Sequence, residues 1–446
     1  MIIVDTALRK LAAEGRSISV AIIGAGMQAR SLARSIEQST PGMRVVAIAN
    51  RSRGNAETVF TDLGLTPTWC ETAQAITAAI AAGGRAVTTD PTLLGSAQGI
   101  DAVVESTGAL EWSAHAVLAA IEGGKHPIMV NAELDATVGP VLKARADVRG
   151  LTYTAGDGDQ PGVAGNLLRF VEGIGVRPVL AGSIKGLHDP YRNPETQVSF
   201  AAKWGMLPST AASFADGTKI SIEQALMANS RGWRVAQRGM TGPDFSGGDP
   251  YAPLVPLDEA VKALFPMLDE QLAAGVPGVV DYVIGARPNP GVFVLGTIQD
   301  PAQRHQLAYY KLGPGPYYLF HVPYHLCHFE VPSSIARAVL FGDAVLAPMG
   351  APTVGVVSVA KKDLSPGETI VELGGFECYG MLENIETMRD QNLIPLGIAI
   401  GGRVNKPIAK DTPVTFADVD LPPGRLIDRL YAEQQAMCAP VPEAVA

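Results

Sequence analysis

Ser19-Val20-Ala21-Ile22-Ile23-Gly24-Ala25-Gly26-Met27-Gln28-Ala29 decides the fold. An apolar strand runs straight into two glycines separated by one residue. Apolar residues at helical spacing (Ala29, Leu32, Ala33, Ile36) then follow. In such a turn the glycines let the backbone approach a pyrophosphate, which sits on the amides at the helix N-terminus. Gly24, Ala25, Gly26, Met27 and Gln28 are therefore expected to bind a dinucleotide. The next apolar run, Val45-Val46-Ala47-Ile48-Ala49, ends in Asn50-Arg51-Ser52-Arg53. An NAD enzyme places a carboxylate about 20 residues beyond the glycines, on the ribose 2′-hydroxyl. Two arginines, an amide and a hydroxyl stand there instead. That set suits a 2′-phosphate, so NADPH is the expected cofactor.

The strand-helix rhythm continues. Asp101–Glu105 ends at Ser106-Thr107-Gly108, Pro127–Val130 ends at Asn131-Ala132-Glu133, and Leu151–Thr154 precedes Gly156-Asp157-Gly158-Asp159. Repeated units of this kind form a doubly wound parallel (Rossmann) sheet, and its ligands gather beyond the carboxyl ends of the strands. Ser106, Thr107, Gly108, Asn131 and Glu133 therefore join the expected cofactor site. This α/β domain is placed at 1–160. Helical patches at 195–204 and 219–229 then alternate with strands at Val279–Ile284, Val292–Leu295 and Tyr317–His321, which reads as an α+β substrate and dimerisation domain on a mixed or antiparallel sheet, 161–348. A small β-rich domain, 349–440, opens with a strand at Val354–Ala360 and carries two similar phrases, 363–370 and 408–415. The Ala-, Pro- and Glu-rich end is expected to fray.

Composition narrows the class. The chain has 446 residues, 47% of them hydrophobic and 18% charged, as an ordinary globular protein does. A net charge of −9 with no basic run argues against nucleic acid and against anionic membrane as partners. Cys70, Cys327, Cys378 and Cys438 lack CxxC spacing and read as reduced thiols. The first six residues place an acid where a signal peptide carries positive charge, and no apolar stretch of about 18 residues occurs. A cytoplasmic enzyme, dimeric like related oxidoreductases, is expected.

The chemistry is expected between Gly182 and Asn229, where Lys185, Arg192, Lys203 and Lys219 gather within a short stretch of an acidic protein. On a helix over 219–229, Lys219 and Glu223 share a face, with Asp216 as a cap. That pair reads either as a surface salt bridge or as a proton-transfer couple. The four cations could also hold a phosphate, which favours clustered donors. His321, His325 and His328 have helical spacing, but Pro323 and the aromatic run before them indicate strand and turn. They read as buried, hydrogen-bonded histidines and not as a zinc site.

Together the Gly24–Ala29 turn, Asp157-Gly158-Asp159-Gln160-Pro161-Gly162 and Phe214-Ala215-Asp216-Gly217-Thr218-Lys219 resemble the family related to homoserine dehydrogenase that carries a C-terminal SAF domain. Within it the chain most resembles the 1-deoxy-D-xylulose 5-phosphate reductoisomerase-like enzymes, over nearly its whole length. The resemblance implies rearrangement of deoxyxylulose 5-phosphate and reduction by NADPH to methylerythritol 4-phosphate, an isoprenoid precursor, with Mg or Mn present. It implies Lys185, Lys219 and Glu223 as acid/base groups and Asp159 as a further catalytic group. Asp159 and Asp157 would be metal ligands, with Glu133 an alternative, and Arg192, Lys203 and Asn229 would hold the sugar phosphate. The Asn-Gly-Thr-x-Asn phrase of homoserine dehydrogenases is missing, so homoserine is not the expected substrate. Two alternatives stand: an NADP-dependent dehydrogenase or oxidoisomerase of an unphosphorylated sugar, polyol or sugar acid, and a non-catalytic, cofactor-binding regulator.

Overall fold

β1 (Ile18–Ile23) is apolar along nearly its whole length because the sheet it belongs to is covered on both faces. The structure, a computed structural model, describes residues 2–249 and 251–438. The end expected to fray, from residue 439, lies outside the described residues. By internal contacts the chain forms two units. The first comprises 1–157, 327–352 and 423–446, and the second comprises 158–326 and 353–422.

In the first unit β1 is joined by β2 (Met43–Ala49), β3 (Pro67–Trp69), β4 (Arg85–Thr88), β5 (Ala102–Glu105), β6 (His126–Met129) and β7 (Thr154–Ala155). All seven are parallel, in the order β3-β4-β2-β1-β5-β6-β7. The doubly wound sheet read from the sequence is thus present. Its strand order reverses between β1 and β5, which makes the crevice beyond those two strands the expected ligand site of such a sheet. Register levels the strand ends: Ile23 is opposite both Ala49 and Glu105, and Glu105 is opposite Met129. Gly24, Asn50 and Ser106 consequently start in one row. The helix Leu426–Met437 also belongs to this unit. Its first amides, Leu426 N and Ile427 N, donate to the Glu111 carboxylate at 2.7 and 3.0 Å.

In the second unit β8 (Arg177–Lys185) is the centre of a four-stranded sheet. A short pair, β9 (Val255–Pro256) with β11 (Ala286–Arg287), lies apart from it. β10 (Val279–Ile284) runs parallel to β8, while β12 (Gly291–Thr297) and β13 (Tyr318–Val322) complete the sheet in antiparallel sense. The helix Gln160–Gly173 packs on it, and Leu257, Val261, Leu264 and Leu268 close a core around Val179, Val283 and Phe293. β14 (Val354–Ala360) pairs antiparallel with β15 (Cys378–Asn384), and the similar phrases 363–370 and 408–415 meet through a bridge between Leu364 and Ile408. This hairpin packs on the helix Thr218–Asn229. No helix among the described residues is long and apolar enough to cross a membrane.

Candidate active site

The first unit carries the cradle expected for a dinucleotide. Gly24 has φ +115°, and a Cβ there would stand 3.0 Å from Ser106 Oγ and 3.1 Å from Thr107 Cγ2. Only glycine fits both that conformation and that approach. Gly26 precedes the helix Met27–Ser39, and no side chain caps the helix; a Cβ on Gly26 would meet nothing within 4 Å. The first amides, at Met27 and Gln28, are thus left for a ligand such as a phosphate. These features fit the group implied by the sequence.

At the end of β2, Asn50 donates to Ser52 O at 3.0 Å, and Ser52 caps the next helix through Asn55 N. The two arginines differ. Arg53 pairs with Glu57 at 2.7 Å and lies 4.5 Å from the Trp69 ring centroid, whereas Arg51 is exposed and makes no hydrogen bond or ion pair with the described residues.

At the end of β5, Ser106 Oγ donates to Ile23 O at 2.9 Å. Thr107 N, Thr107 Oγ1 and Ser113 Oγ all donate to Glu105 Oε1, at 2.9, 2.6 and 2.8 Å. Glu105 is completely buried, and burial pushes its carboxyl up to about 7, against those hydrogen bonds and one from Asn131. Asn131 itself caps the helix Ala132–Val148 through Leu134 N, and Glu133 lies in that helix's first turn. Close by in sequence, Asp135 is also pushed up to about 7 by burial and accepts from Tyr153 Oη at 2.8 Å. In the sequence Glu105 reads as no more than the last residue of a strand; an acid directly after Ala102-Val103-Val104 is the available signal.

The second unit carries the side chains expected to do acid/base work. The helix Thr218–Asn229 is no surface helix: every residue but Lys219 is buried. Lys219 and Glu223 do share a face, but each takes its partner from elsewhere. Lys185, at the end of β8, donates to Glu223 Oε2 at 2.7 Å, with the two side chains 14% and 4% exposed. Lys219 Nζ lies 3.8 Å from Asp159 Oδ2, and Asp159 Oδ1 accepts from Gln160 N at the start of its own helix. A single helix thus presents two lysine–carboxylate couples drawn from three separate elements.

The other expected site residues take different partners. Asn229 is taken up by the backbone of β14, accepting from Thr353 N and Val354 N at 2.8 and 3.2 Å and donating to Val354 O. Its place is architectural. Arg192 pairs with Asp189 at 3.0 Å, and Lys203 is exposed, 5.1 Å from the ring of its neighbour Trp204. The neighbour of Lys185 is Glu223.

Asp157 belongs to the first unit, completely buried 3.6 Å from Arg337. Asp157 thus faces a guanidinium and Asp159 an ammonium. The histidines are less buried than expected. His321 is exposed on β13, and His325 and His328 are half-buried. A ring nitrogen of His325 comes within 4.8 Å of an Asp159 oxygen.

Residues 158–331 match the family model described as oxidoreductase DRL, catalytic domain. No curated protein matches the chain. Among solved structures it is similar to an NAD-binding oxidoreductase from Klebsiella pneumoniae (16% identity over 40% of this chain and 45% of that one, TM-score 0.30). It is also similar to a probable dehydrogenase from Thermotoga maritima (12%, 75% and 91%, TM-score 0.40). A third is myo-inositol 2-dehydrogenase from Lactobacillus plantarum (12%, 74% and 91%, TM-score 0.37). The chain spans about half the length of the Klebsiella structure and of GenD2 from gentamicin A biosynthesis, 45% and 53%.

Proposed function

We propose that this chain is a nicotinamide-nucleotide-dependent dehydrogenase, preferring NADPH, whose substrate is an unphosphorylated sugar, polyol or sugar acid. The observation that carries this reading is the pair of lysine–carboxylate couples on the buried helix Thr218–Asn229. The match of residues 158–331 to an oxidoreductase catalytic domain supports it. In this reading Gly24–Gln28, Arg51 and Ser106–Gly108 bind the nucleotide, and Lys185, Lys219, Glu223 and Asp159 are the acid/base groups.

The nucleotide, when bound, supplies hydride exchange with a substrate carbon. In the reducing direction the carbonyl oxygen becomes an alkoxide and needs a proton. An ammonium at Lys219 or Lys185 carries that proton, while Asp159 and Glu223 hold each Nζ in place and balance its charge. Both couples are largely withdrawn from water, where oriented charges act most strongly on a reacting oxygen.

A phosphorylated substrate would call for Arg192 and Lys203 together. One is neutralised by Asp189 and the other is exposed beside Trp204, which favours the unphosphorylated class. The test follows the absorbance of reduced nicotinamide with a panel of polyols and sugar acids. In parallel, 1-deoxy-D-xylulose 5-phosphate is offered with manganese or magnesium. NADP-linked oxidation of a polyol or sugar acid is the expected result. Turnover of the sugar phosphate alone, blocked by fosmidomycin, would replace this reading with the reductoisomerase one.

A further inference from the structure

Lys361 follows β14 directly, and its side chain is only 4% exposed. Its Nζ donates to Asp216 Oδ2 at 2.8 Å, to Arg192 O at 2.7 Å and to Gly375 O at 2.8 Å. Three acceptors around one nitrogen match an ammonium's three donors. Asp216 is completely buried, and its other oxygen accepts from Thr218 N at 2.9 Å, in the first turn of the helix that carries Lys219 and Glu223. Gly217 between them turns at φ +89°, and a Cβ there would lie 2.6 Å from His188 Nε2. The same turn is gripped again from β15. Gly380 N donates to Thr218 Oγ1 at 2.9 Å, and Ser221 Oγ donates to Gly380 O at 3.0 Å.

A buried ion pair adds little stability over an apolar pair of the same size, so stability alone is a poor reason for one here. What this pair does contribute is geometry: it ties residues 192, 216, 361 and 375 to one nitrogen beside the start of the helix. We infer that Lys361 and Asp216 are a positioning pair, by which the 353–422 segment fixes the first turn of the Thr218–Asn229 helix and so aims Lys219 and Glu223. The segment is then a working part of the catalytic unit and not an accessory. This rests on the reading of Lys219 and Glu223 under "Proposed function".

The double variant K361M/D216N removes both charges at once and leaves neither buried alone. In the full-length protein, hydrogen exchange at the Thr218–Ser221 amides should become about 10-fold faster. kcat on the best polyol or sugar acid should fall about 10- to 100-fold, as expected when a reacting group is misplaced by about 1 Å. KM and nucleotide Kd should stay within about 2-fold, a split that general loosening would not produce. If the double variant does not fold, T218V, which removes the hydroxyl that accepts from Gly380 N and hydrogen-bonds Asp216, should show the same pattern to a smaller degree. Unchanged exchange in these amides overturns the proposal, and so does unchanged kcat where the wild type is active. Should the wild type turn over nothing, faster exchange still supports the positioning role, and the functional reading alone fails.

Discussion

Replacing Glu105 with Gln should flatten the pH dependence of the first unit's stability. The free side chain titrates at 4.5 and the buried one at about 7, so the folded protein holds this proton more tightly than the unfolded chain. Stability from a raised carboxyl is fully present below its unfolded pKa and is lost as pH rises through the folded one, here from about pH 4.5 to about pH 7. At about 1.36 kcal/mol per pH unit, the rise from 4.5 to about 7 comes to about 3 kcal/mol. Most of it, about 2–3 kcal/mol, falls between pH 5 and pH 8. The assay is urea unfolding of both proteins across that range, followed by circular dichroism. Gln keeps an acceptor for Thr107 and Ser113 but buries an amide N–H, which costs about 1–3 kcal/mol at every pH. Asp135 titrates in both proteins and cancels from the difference. The diagnostic quantity is therefore the slope: wild type should lose about 2–3 kcal/mol more than E105Q on going from pH 5 to pH 8. Parallel pH curves would refute the assignment of a burial-raised carboxyl.

Lys219→Ala should lower turnover about 100-fold or more while nucleotide affinity stays the same; equal losses in both would show that Lys219 acts only through the fold. Arg51→Ala should weaken NADPH binding about 10-fold or more and leave NADH alone, since a charged hydrogen bond contributes about 1.5–3 kcal/mol. Arg53→Ala, with its guanidinium already on Glu57 and Trp69, should do less, and titration of both variants decides the order. Lys185→Met should cost about 3–5 kcal/mol of stability by leaving Glu223 buried without its cation, and adding Glu223→Leu should recover most of it; thermal unfolding of the single and double variants checks this.

The parts legible in the sequence are those whose cause is local. The Ile18–Ile23 strand and the Gly24–Gly26 turn announce themselves because an apolar strand and a positive-φ glycine need nothing beyond their neighbours. Val354–Ala360 was legible to the residue for the same reason. Partner choice was not. Spacing places Lys219 and Glu223 on one face, but Asp159 and Lys185 claim them from other elements, and no spacing rule encodes that. Asn229 likewise carries a polar tip that reads as ligand-binding until the backbone at Thr353 and Val354 meets it. Arg53 was readable: Glu57 is four residues on, the spacing at which a helix pairs opposite charges.

The first unit closes on the Leu426–Met437 helix, whose opening amides rest on Glu111. Translation therefore delivers residue 157 long before the Leu426–Met437 helix exists. At about 5–20 residues per second the interval is on the order of 10–50 s. Throughout it the surface that this helix later covers stands open on the ribosome. A nucleotide already seated on Gly24–Gln28 could hold the nascent sheet together over that wait, making cofactor supply a determinant of yield as well as of rate.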